Sequence, residues 1–151
     1  MRFFSEIYQN HALWVALLGW FIAQLFKVIT VLIRNKKFDV RRFVGSGGMP
    51  SSHSSFVMSL ATFVGLQSGF DSAQFAICVV LAFVVMYDAA GVRRAAGHQA
   101  AVLNQIIEHW DDAPEIQNKR LKELLGHTPY EVLVGAILGI VLAIVMHKII
   151  F

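Results

Sequence analysis

Four long apolar runs, separated by short polar stretches, dominate this chain. The first extends from about Ala12 to Ile33 and is interrupted by Gln24 and Lys27; the others cover about 52–68, 72–90 and 129–150. A bilayer core takes about 20 apolar residues of helix, so each run is read as a spanning helix. Gly69-Phe70-Asp71 leaves room only for a tight turn, which pairs the second and third runs as an antiparallel hairpin. Between the third and fourth runs, Val102, Leu103, Ile106, Ile107 and Trp110 recur at helical spacing, opposite Asn104, Gln105, Glu108 and His109. Asp111-Asp112-Ala113-Pro114 breaks this pattern. Ile116, Leu121, Leu124 and Leu125 then resume it against Lys119, Arg120, Lys122 and Glu123, with Gly126 as the helix stop. The pattern predicts an interfacial helical hairpin over about 97–125, with a regulatory arm as the alternative. The expected fold is therefore all-α and integral to the membrane: one domain over 1–151, a bundle of four transmembrane helices with an interfacial hairpin before the last.

Composition agrees with that pattern. The 151 residues are 56% hydrophobic and 15% charged, with a mean hydropathy of +0.59, whereas soluble domains run nearer a quarter charged. A net charge of +3 and a pI near 9.2 are compatible with nucleic acid, but the charges cluster between apolar runs, where topology accounts for them; no nucleic-acid partner is expected. Cys78 is a lone cysteine inside an apolar run and reads as a small hydrophobe, which rules out a disulfide framework or a zinc set. The first run is read as a span rather than a cleaved leader.

Four spans put both termini on one side and the 34–51 and 91–128 connections on the other. The connections carry Arg34, Lys36, Lys37, Arg41, Arg42, Arg93, Arg94, Lys119, Arg120 and Lys122, against Arg2 and Lys148 at the termini. The positive-inside rule then assigns the connections to the cytoplasm and the termini to the outside of a bacterial-type inner membrane.

The polar residues with chemical potential sit at the mouths of these runs. Pro50-Ser51-Ser52-His53 lies where a connection becomes a helix: a serine can cap it, Pro50 stiffens the entry, and the free N–H groups of the first turn suit an anion. Gly45-Ser46-Gly47-Gly48 upstream lets backbone approach a phosphate, or is an ordinary glycine-rich turn with His53 as an interface residue. Thr128-Pro129-Tyr130-Glu131 has the form of a capping box, which explains Thr128 and Glu131 but not His127. Lys27 is an ammonium inside a spanning run, costly by roughly 2.5–3.5 kcal/mol at the bilayer centre; it either snorkels or serves a ligand. Asp88 near the end of the third run is disfavoured by the helix dipole and is read as orienting Arg93 or Arg94, with a metal carboxylate as the rival. His11, His98, His109 and His147 show no metal-ligand spacing and are assigned no role.

These motifs together resemble the type 2 phosphatidic acid phosphatase superfamily, whose relatives include bacterial acid phosphatases and vanadium haloperoxidases. Its three motifs are K-x6-R-P, P-S-G-H and S-R-x5-H-x3-D. Pro50-Ser51-Ser52-His53 is similar to the second, with Ser52 for glycine. His127-x3-Glu131 resembles the end of the third, with Glu131 for aspartate, and Lys27-x6-Arg34 has the spacing of the first, with Asn35 for proline. The third motif is split, because Arg93-Arg94 stands far from His127. The phrases Gly-Gly-Met-Pro-Ser-Ser-His-Ser, Tyr87-Asp88-Ala89-Ala90-Gly91-Val92-Arg93-Arg94 and Leu121-Lys122-Glu123-Leu124-Leu125-Gly126-His127 look like the small divergent branch of that superfamily, over nearly the whole chain.

The resemblance implies a metal-independent lipid phosphatase with no cofactor. His127 would be the nucleophile that takes the phosphoryl group, Glu131 would hold its other ring nitrogen, and His53 would protonate the leaving alkoxide. Lys27, Arg34, Ser51, Ser52, Arg93 and Arg94 would bind the phosphate oxygens, with Arg41 and Arg42 as rivals to Arg34. The expected partners are the bilayer and a membrane lipid phosphate, with a homodimer as one way to complete the pocket. Two other functions remain open: a non-catalytic lipid-phosphate binding or transport module, and a structural subunit that docks a partner through the interfacial hairpin.

Overall fold

The computed structural model describes residues 2–35, 48–108, 121 and 126–151, apart from the side chains of Val31, Arg34, Asn35 and Arg93. Among these residues the ordered elements are all helical. They are α1 (Arg2–Tyr8), α2 (His11–Asn35), α3 (Ser52–Ser68), α4 (Ala73–Ala90), α5 (Val92–Glu108) and α6 (Pro129–Ile150). The short α1 is not foreseen by the hydropathy pattern. It meets α2 at Asn10, whose Oδ1 accepts from the Leu13 amide at 3.0 Å, and the Trp14 indole donates back to the carbonyls of Ile7 and Tyr8.

Three stretches are long and apolar enough to cross a membrane: His11–Thr30, Ala73–Glu108 (which takes in α4 and α5), and Pro129–Ile150. The 17-residue α3 has the bounds expected from sequence, but it is the central element. It packs against α6 most extensively, then against α2 and α4. Eight of its residues are buried, among them Ser52, Ser54, Ser55 and Ser59.

The packing uses small residues where a soluble core uses large ones. Buried positions include Ala16, Ala23, Ala61, Ala136 and Ala143, while Phe21, Phe26, Ile77, Phe83, Val84 and Ile137 face outward. Lipid tails solvate apolar side chains as well as a protein interior does, so close backbone approach and hydrogen bonds hold membrane helices together. Gly135 and Gly139 lie on one face of α6 and make that approach possible. A Cβ on Gly135 would overlap the backbone oxygen of Ser51, and one on Gly139 would come within 2.5 Å of the Ser55 oxygen. Hydroxyls tie α3 to both neighbours: Ser55 Oγ donates to the Gly19 carbonyl of α2 at 2.9 Å, and Ser59 Oγ to the Gly139 carbonyl of α6 at 3.2 Å. A small cluster of Val15, Phe63 and Ala143 closes the end remote from the motifs.

Two expectations are corrected. The first amphipathic helix begins at Val92 rather than near 97, so Arg93 and Arg94 stand in a helix that follows α4 after a break at Gly91. Leu121, expected within the second amphipathic helix, is not helical. Its N–H and C=O are both taken by the side chain of Asn104, at 2.9 Å each, and these are the groups a helix would need for itself. The remainder of that second helix lies outside the described residues.

Candidate active site

The ends of three helices build the site. Ser51 caps α3: its Oγ accepts from the Ser54 amide at 3.4 Å and from the Ser54 hydroxyl at 3.0 Å. Thr128 caps α6 in a complete capping box, with Pro129 in the first turn. The two helix starts are joined main chain to main chain, because the Ser51 N–H donates to the Glu131 carbonyl at 3.0 Å. The end of α4 joins them through the His127 N–H, which donates to the Ala89 carbonyl at 2.9 Å. Gly126, at φ 91°, takes a conformation that favours glycine and turns the chain into His127.

These anchors bring the two motif histidines together. The rings of His53 and His127 lie 6.1 Å apart, centroid to centroid, at 63° to one another. His127 is 3% exposed, so it is an interior group. Its Nδ1 meets Glu131 Oε2 at 3.1 Å, and the same oxygen accepts from the Thr128 amide at 3.0 Å. Glu131 therefore serves the capping box and the histidine at once, and the two readings of this residue are not alternatives.

Lys27 is also resolved in one direction. At 4% exposure it turns into the bundle rather than snorkelling to the surface, and its Nζ donates to Ser52 Oγ at 3.2 Å. Ser52 precedes His53, so the ammonium reaches the first turn of α3, where the positive end of the helix dipole already favours an anion.

The remaining candidates stand apart or cannot be placed. Arg94 is exposed on α5. Asp88 is half-buried near the end of α4, but its expected arginine partner is not established, because the Arg93 side chain lies outside the described residues. So do the Arg34 side chain and all of Arg41 and Arg42. Gln24, which in the sequence only interrupts the first apolar run, is 4% exposed and one helical turn from Lys27 on the buried face of α2. The sequence reading missed the Ala89 carbonyl, which a backbone group gives no means of seeing.

Chemically, the arrangement offers an imidazole oriented by a carboxylate, a second imidazole beside it, and a buried ammonium near two buried serines. That set suits attack on, and charge stabilisation at, a phosphoryl group.

Comparison with known proteins agrees with this reading at the level of family. The family model described as "Divergent PAP2 family" matches residues 8–142. The chain is similar to the "Uncharacterized membrane protein YuiD" of Bacillus subtilis (strain 168), at 40% identity over 152 residues, covering 93% of this chain and 96% of that protein. No solved structure matches. With three membrane-length apolar helices and a family match that takes in both histidine motifs, this chain is a helical membrane protein that belongs to the divergent PAP2 family.

Proposed function

We propose that this protein is a lipid-phosphate phosphatase that cleaves a phosphomonoester or pyrophosphate through a phosphohistidine. The observation that supports it is the approach of His53 and His127 to 6.1 Å, with Glu131 on the far nitrogen of His127. With the Nδ1 proton held by Glu131, the lone pair of Nε2 is left to attack phosphorus. The P–N bond forms as the P–O bond to the lipid breaks, and His53 gives its proton to the departing oxygen. Water then attacks the phosphohistidine, passes its proton to His53, and releases inorganic phosphate. Lys27, through its place beside Ser52, and the first turn of α3 balance the charge on the non-bridging oxygens. No metal enters this scheme.

In this reading α3 is a fourth spanning element, shielded from lipid by its neighbours. The site faces the cytoplasm of a bacterial-type inner membrane, with both termini outside. The scissile bond lies at headgroup depth, and the lipid tail stays among the helices. Purified protein in detergent is expected to release phosphate from phosphatidate, phosphatidylglycerol phosphate or a polyprenyl phosphate without added magnesium. His127→Ala and His53→Ala should each remove that release by at least about a hundredfold; retention in both overturns the scheme.

One observation favours a second reading. Lys27 is the cation that the described contacts bring to the α3 start, whereas Arg94 is exposed. Among the described residues that makes Lys27 the one cation at the α3 start, an arrangement that suits a binding or transport module that no longer turns over. That module would bind lipid phosphates, lose binding in Lys27→Ala, and release no phosphate in any variant.

A further inference from the structure

Leu121 and His127, ahead of α6, are each held by groups the scheme above does not use. One is the Ala89 carbonyl, which accepts the His127 N–H at 2.9 Å. The other holds Leu121, six residues upstream. Asn104, 5% exposed on the inner face of α5, presents its amide edge to the backbone of Leu121. Nδ2 donates to the Leu121 carbonyl and Oδ1 accepts from its N–H, both at 2.9 Å. A carboxamide is the one neutral side-chain group that offers donor and acceptor side by side, as a neighbouring β-strand would. This pairing fixes the chain at Leu121 in register as well as in distance.

We infer that Asn104 is a positioning residue for His127: clamping the backbone of Leu121 to α5, six residues before the histidine, helps keep the imidazole buried beside His53. Asn104 acts on His127 through the chain, by its hold on Leu121. Its consequence for turnover rests on the phosphatase reading, but its consequence for the burial of His127 does not. The chemistry is specific to an amide. Aspartate keeps the acceptor for the Leu121 N–H and sets a second acceptor against the carbonyl. Leucine keeps the shape and loses both bonds.

The test is the rate at which diethyl pyrocarbonate modifies His127 in the folded, detergent-purified full chain, read by peptide mass spectrometry. The exposed His11, at the start of α2, is the internal reference. Asn104→Asp and Asn104→Leu are both made, and α-helical circular dichroism shows which of them folds. A clamp worth about one net hydrogen bond predicts modification of His127 on the order of tenfold faster, relative to His11, in either folded variant. Phosphate release, where wild type shows it, should lose kcat with KM little changed, because misorientation of the nucleophile does not remove substrate contacts. A lower unfolding temperature with unchanged His127 reactivity in the folded variants would mean that Asn104 only stabilises α5, and would overturn the inference. Faster labelling with no phosphate release from wild type would uphold the clamp and count against the phosphatase reading alone.

Discussion

Lys27 shows how one residue separates stability from function. Its ammonium is 4% exposed and rests on Ser52 Oγ at 3.2 Å, so the fold carries a desolvated charge with a neutral partner. Replacing a buried charge by an apolar side chain of similar length is often neutral or stabilising. Lys27→Met should therefore hold or raise the unfolding temperature in detergent while weakening lipid-phosphate binding by at least about tenfold. Ser52→Ala leaves the ammonium and removes its partner, and should lower stability by roughly 1–3 kcal/mol. If Lys27→Met destabilises as much as Ser52→Ala while binding persists, the lysine is structural. At this scale much was legible in the sequence. A lysine in an apolar run and histidines near the proline-marked helix starts are conspicuous where polar groups are expensive. The double use of Glu131 Oε2 was not legible, because one spacing satisfies both the capping box and the histidine contact.

Among elements, the contact of α3 with α6 carries the site. Each helix begins with a motif histidine at or beside its cap, and they meet through Gly135 and Gly139, where added carbons would strike backbone atoms of Ser51 and Ser55. Backbone cannot yield as a flexible side chain does, so Gly135→Ala and Gly139→Ala should each cost about 1–3 kcal/mol. Both should also impair any activity of the His53–His127 pair. Leu133→Ala, at a position 56% exposed, serves as the control and should change the unfolding temperature little. Helix limits followed closely from sequence where chemistry marks them, as at Ser51, Ser72 and Thr128, all of which cap. They were missed at α5, where Arg93 and Arg94 read as a connection although the alanine-rich stretch after them suits a helix. Which helix is central was not legible either. In lipid, packed and tail-facing positions are both apolar, so periodicity loses its meaning, and Ser54, Ser55 and Ser59 of α3 drew no reading of their own.

For the whole molecule, orientation rests on the distribution of arginine and lysine. In a Cys78→Ala background, Arg94→Cys should resist a membrane-impermeant maleimide in intact cells and react once the cells are opened. Lys148→Cys should react in both. The reverse pattern would turn the site to the outer face without altering its internal geometry. That geometry has one further consequence. The amide of Ser51 hangs on the carbonyl of Glu131, at a serine with no solvent exposure, where no water stands ready to replace the bond. The two imidazoles thus stand on helix starts that are tied main chain to main chain. Changing the spacing of the two rings along this contact would mean breaking that bond out of reach of solvent.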